Sequence, residues 1–197
     1  MKRGTVRFAT AMCALALTVA PAMAGEKMMG DKMMMGENPM VGGEAMLTTK
    51  DIIDNAVKSK EHTTLVAAVK AAELVGTLKG KGPFTVFAPT NAAFAMLPAG
   101  TVDTLLKPEN KGALTGILTY HVVAGRVDAK ELMKQIKAGN GNAAVKTVHG
   151  GTLWAMMNGE RNVVLKDEKG NVGHISTYDV YQSNGVIHVV DTVLMPK

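Results

Sequence analysis

From Leu47 to the end of the chain, apolar and polar positions follow first a helical and then a strand period. Residues 51–57 read as a short amphipathic helix. Leu65, Val69 and Ala72 then recur at i, i+4 and i+7 along one face of a second helix, which Thr63 or Thr64 is placed to cap. Lys79-Gly80-Lys81-Gly82-Pro83 breaks that pattern and opens a strand at 84–87, which Pro89 ends. Thr90-Asn91 can cap a short helix running to Leu97, stopped by Pro98. Asn110 is placed to cap a helix turning Leu114, Ile117 and Leu118 inward. Asp128, with Glu131 three residues on, starts a helix through Lys137 in the manner of a capping box.

From Val145 the period shortens to two. Strands at 152–157 and 162–166 flank Asn158-Gly159, whose residues tolerate positive φ and suit a hairpin turn. Lys169-Gly170-Asn171 and Ser183-Asn184-Gly185 mark two further reversals around strands at 172–180 and 186–194. Helices followed by a β-meander predict an α+β domain and not a βαβ sheet. Without internal repeats, the domain count is one.

The first residues belong to a different class. Lys2, Arg3 and Arg7 precede an apolar run from 8 to 20, then Pro21 and the small-x-small triplet Ala22-Met23-Ala24. A run this short falls below the roughly 20 residues needed to cross a bilayer, so residues 1–24 are read as a cleaved secretory signal and not a retained anchor. The 22 Lys+Arg and 17 Asp+Glu of the whole chain then become 19 against 17, a mature charge of +2. That is too little cationic surface for a nucleic-acid binder. Cys13, the single cysteine, lies inside the apolar run and leaves with it, which excludes disulfides, a thiol nucleophile and a lipoprotein anchor. The expected product is secreted or periplasmic, with no stable membrane insertion after cleavage.

Residues 25–47 are dominated by methionine. Seven of them (Met28, Met29, Met33, Met34, Met35, Met40 and Met46) share the stretch with five glycines, and Val41 is the only branched aliphatic before Leu47. Such a segment buries too little surface to offset its chain entropy and is expected to be a disordered tether. Beyond a plain spacer, two roles compete. Thioethers are soft donors that suit Cu(I) or Ag(I), with Met28, Met29, Met33, Met34 and Met35 as candidate ligands, and exposed thioethers are also reversible oxidation targets. No other cofactor is implied.

Catalytic signatures are sparse. None of Ser59, Ser176 and Ser183 sits in a Gly-x-Ser-x-Gly elbow, and the five histidines lack zinc-protease spacing. His149, His174 and His188 lie in or beside strands and could converge on a metal. Glu160 and Asp167 look like solvated charges, though an extracellular polymer hydrolase built on carboxylates remains an alternative. Trp154, the sole tryptophan, alternates with Leu153 and Ala155. The reading is inward, as core; pointing outward, it would be a platform for a sugar ring or a partner's apolar anchor.

Three segments carry a family resemblance. They are Phe84-Thr85-Val86-Phe87-Ala88-Pro89-Thr90-Asn91-Ala92-Ala93-Phe94, then Leu118-Thr119-Tyr120-His121-Val122-Val123, and finally residues 184–196, which include His188 and Asp191. In this order and spacing, residues 48–197 resemble a fasciclin-type (FAS1) domain of the bacterial secreted, single-domain kind. The resemblance implies a wedge-shaped β-sandwich with helices packed around it. It also implies a non-catalytic role in adhesion, surface or matrix association, with a cell-surface or matrix protein or glycan as partner. It carries an integrin-type contact to Tyr120 and His121. The residues themselves favour a buried ring pair there, bonded to Thr90 or Asn91. Phe84, Pro89, Thr90, Asn91, Phe94, His188 and Asp191 are expected to build the scaffold.

Overall fold

The computed structural model describes residues 38–160 and 162–197. The expected signal and the candidate ligands Met28, Met29, Met33, Met34 and Met35 lie outside them. Folded structure begins earlier than the expected tether allows. Strands β1 (Met40–Val41) and β2 (Glu44–Ala45) form a hairpin turned by Gly42 and Gly43, both at positive φ (63° and 80°). Val41 and Met46 are buried in the helical core, and the Tyr181 amide donates to the Asn38 side chain at 2.9 Å. The domain therefore includes residues 38–47. Composition hid this, because one valine and one adaptable thioether fill the gap that a longer apolar run would normally signal.

The helical half contains α1 (Ile52–Ala56), α2 (Thr63–Ala71), α3 (Val75–Leu78), α4 (Asn91–Ala95), α5 (Thr101–Leu105) and α6 (Lys111–Tyr120). Strand β3 (Phe84–Pro89) runs between α3 and α4. Thr90 caps α4 as expected, and Asp51 caps α1 in the same way, each accepting from an amide three residues on. Two caps differ. Neither Thr63 nor Thr64 caps α2; Asn91 reaches across and accepts the Thr64 amide at 3.0 Å. Asn110 does not cap α6 but donates from its side chain to the Thr104 carbonyl.

Strand β4 (Val122–Ala124) and α7 (Ala129–Ala138) lead into β5 (Asn142–Lys146), β6 (Thr152–Asn158), β7 (Asn162–Lys166), β8 (Val172–Gln182) and β9 (Gly185–Val190). Asp128 caps α7 by accepting the Glu131 amide at 2.8 Å, while the Glu131 carboxylate turns to Gln135 instead of closing the box. The strands make one sheet in the order β4-β3-β9-β8-β7-β6-β5, antiparallel except for the parallel pair β3–β9. The sheet curls until the chain leaving β5 meets β4, where the Val148 amide donates to the Val122 carbonyl at 2.7 Å. The two halves of this one curled sheet are the layers of the expected sandwich, and they enclose a core with Phe87, Leu153, Leu165 and Val190. Helix α7 adds Leu132 and Ile136 to it. A second core fills the space between β3, β9 and the helices of the first half. Every residue of β9 is buried, as its apolar character on both faces predicts.

Gly185 marks the tightest approach in the sheet, since a Cβ there would stand 2.1 Å from the Phe84 carbonyl oxygen across the parallel pair. Gly185→Ala must push β3 and β9 apart and is expected to lower unfolding free energy by about 2–3 kcal/mol. A urea midpoint indistinguishable from wild type would show that the pair can separate freely.

Candidate functional site

Tyr120 and His121 close α6, where the helix leaves carbonyls in need of donors. Tyr120 is 0% and His121 2% exposed. The His121 Nδ1 lies 2.8 Å from the Ile117 carbonyl, and the Leu194 amide donates to Nε2 at 3.0 Å. These partners assign a neutral ring, donating from Nδ1 and accepting at Nε2. Burial pushes its pKa down to about 4, only partly opposed by the Ile117 carbonyl and Asp167. The Tyr120 hydroxyl donates to the Thr152 carbonyl at 2.8 Å and accepts the Glu168 amide at 3.1 Å. Burial pushes it up to about 12. Gly151 makes room for this ring, because a Cβ there would lie 2.7 Å from it.

The same knot holds the carboxylates. Asp167 is buried, not solvated: its Oδ1 accepts the Lys169 and Asn171 amides, and its Oδ2 accepts the Asn171 side chain and the Met195 amide. The Glu168 carboxylate accepts the amides of Thr152 and Lys197. Helix α6, the start of β6, the β7–β8 turn and the C-terminal segment are thereby tied through two rings and two acids. Thr90 and Asn91 are not the ring partners; they cap α4 and α2. Since neither ring reaches the surface, an integrin-type contact through Tyr120 and His121 has nothing to offer a partner here.

The remaining signature residues are also internal or local. His188 is fully buried, stacked on Phe87 at 5.6 Å between centroids, with Nε2 2.9 Å from the Val127 carbonyl. Phe94 is buried in the helical core, and Phe84 packs against it half-buried. Asp191 accepts the His174 amide at 2.8 Å, fixing the end of β9 against β8. His174 itself is exposed and His188 is interior, so the two do not share a site. Among the described residues, no three His, Cys, Asp or Glu side chains gather as metal ligands would.

Trp154 departs from the inward expectation. Leu153 and Ala155 are fully buried, which puts Trp154, half-buried, on the outer face of the sheet. Pairing aligns Ala144, Trp154, Lys166 and Val172 across β5–β8, with Asn142, Met156, Val164 and His174 in the adjacent row. The indole borders a shallow concavity shared with Asn142, Met156, Lys166 and Glu168.

The signature knot, the parallel β3–β9 pair and the terminal strand buried on both faces occur together with a sequence match. A family model described as the fasciclin domain matches residues 60–196. The chain belongs to the fasciclin domain family. This fasciclin protein is 46% identical over 146 residues to Protein sll1483 of Synechocystis, covering 74% of this chain and 73% of that one. It is 34% identical over 196 residues to the immunogenic protein MPB70 of Mycobacterium bovis, covering 95% and 92%. The cell surface glycolipoprotein MPB83 of the same species is 34% identical over 166 residues, covering 81% and 67%. Among solved structures, a FAS1 domain pair from the insect cell adhesion molecule Fasciclin I superposes with a TM-score of 0.54 at 21% identity. The match covers 66% of this fasciclin protein and 43% of that chain, so it shows the fold. No helix among the described residues is long and apolar enough to cross a membrane.

Proposed function

We propose that this fasciclin protein is an exported, non-catalytic binding module that attaches to surface or matrix glycans through the outer face of β5–β8. The carrying observation is Trp154: a half-buried indole on an open sheet face, flanked by Lys166 and Met156. An indole face covers the apolar side of a sugar ring, while Asn142 and Lys166 offer polar groups to its hydroxyls. Commitment of the signature residues to the interior or to local caps and turns supports a scaffold whose recognition lies elsewhere, and the cell-surface relative MPB83 supports export.

As the only tryptophan, Trp154 also reports on its own site. Titrating the mature protein with polysaccharide fragments from the native envelope is expected to shift indole emission. Trp154→Ala is expected to weaken attachment at least tenfold, with a melting temperature within about 3 °C of wild type. Unchanged attachment by a folded Trp154→Ala protein would remove the proposed surface.

A further inference from the structure

On the helical side of β3 lies a separate feature, an apolar cavity of about 90 Å³ bounded by α1, α2, α3 and the end of α6. Well-packed interiors seldom leave voids larger than a water molecule, so a space of this size asks for an occupant. Phe84, Val86 and Ala88, successive residues of one strand face, line its floor. Their spacing gives this slot a floor about 13 Å long along the strand.

Its interior offers no hydrogen bond. Of the polar residues in the lining, Thr119 donates its hydroxyl to the Thr115 carbonyl at 2.7 Å, both His121 nitrogens are already paired, and Thr77 is exposed to solvent. Water gains nothing there, and whatever fills the slot must be hydrocarbon where it is buried. The rim has a different character. Lys70 is exposed at the cavity and is the only charged residue among its described lining, and no described carboxylate lies within ion-pair distance of it. Val148, 48% exposed, is another lining residue that reaches solvent.

From this pairing of an apolar slot with a lone cation we infer that the protein binds a straight-chain carboxylate, its tail along β3 and its head at Lys70. The inference is independent of the glycan reading, since the slot lies on the opposite side of β3 from the core that β5–β8 enclose.

The test is calorimetric titration of the full mature chain with hexanoate, octanoate and decanoate, each below its micellar concentration, and with decanol. Binding should saturate at one equivalent and tighten by up to about fourfold per added methylene until the slot is full. Val66→Phe, which thrusts a ring into the slot from α2, should weaken acid and alcohol alike by at least tenfold. Lys70→Glu should weaken the carboxylates about two- to fivefold and leave decanol unchanged. Should Val66→Phe fail to fold, Ala56→Leu fills the slot from α1 and carries the same expectation. Absence of saturable binding by wild type, or full-strength decanoate binding by a folded slot-filling variant, overturns the inference.

Discussion

Replacing His121 with alanine is expected to lower unfolding free energy by about 3–5 kcal/mol, the scale of breaking a buried network. The substitution removes a fully packed ring and strands two backbone groups, the Ile117 carbonyl and the Leu194 amide. Each buried group left without a partner costs about 1–3 kcal/mol before the cavity is counted. With a urea dependence of about 2 kcal/mol/M, the midpoint should fall by roughly 2 M. The damage should be directional. Leu194 and the adjacent Met195, whose amide is held by Asp167, should lose hydrogen-exchange protection before β6 and β7 do. A loss below about 1 kcal/mol, with the C-terminal segment still protected, would mean that the ring is not what holds it.

Acidification is expected to destabilise the fold well above the range where carboxylates protonate. His62, His121 and His188 are all buried, and burial lowers the pKa of each. Unfolded, each imidazole takes up a proton near pH 6.5; folded, His121 resists until about pH 4. Between those values the unfolded chain binds more protons, so stability rises with pH across the window. It is complete above pH 6.5 and lost progressively as pH falls toward 4. His121 alone accounts for about 3 kcal/mol of that loss, and His62 and His188 act in the same direction. The carboxylates with lowered pKa, Asp54, Glu73 and Glu168, lose their contributions only at lower pH. Urea midpoints from pH 7.5 to 4.5 should therefore fall from about pH 6.5 downward, less steeply for His121→Ala. A flat profile between pH 6.5 and 5 would contradict burial of the three rings.

The elements legible in the sequence are those written locally. Caps at Thr90 and Asp128 sit three residues from their donors, and Ser183-Asn184 reverses the chain between β8 and β9 within two residues. What escaped needed a distant partner. Asn91 caps a helix 27 residues upstream, and no local pattern distinguishes that from capping its own helix. Trp154 was ambiguous because Leu153, Trp154 and Ala155 are all apolar, so the strand has a period but no phase. The core face accepts Leu153 and Ala155 and leaves the indole outside. The Tyr120–His121 pair was legible as buried, but its partners at Thr152, Ile117, Glu168 and Leu194 are all backbone groups, which carry no side-chain signature. Gly151 was the one hint, a glycine whose Cβ would collide with the tyrosine.

The signature Tyr-His pair is an internal brace and not a contact. Following the His121 ring by NMR while pH is lowered from 7.5 to 5.5, above its folded pKa of about 4, addresses this most directly. The brace predicts a single neutral tautomer throughout in the folded protein, with Nδ1 protonated, and a Leu194 amide that stays protected from exchange. A ring that titrates near 6.5 in the folded protein, beside a freely exchanging Leu194 amide, would place His121 at the surface and contradict it.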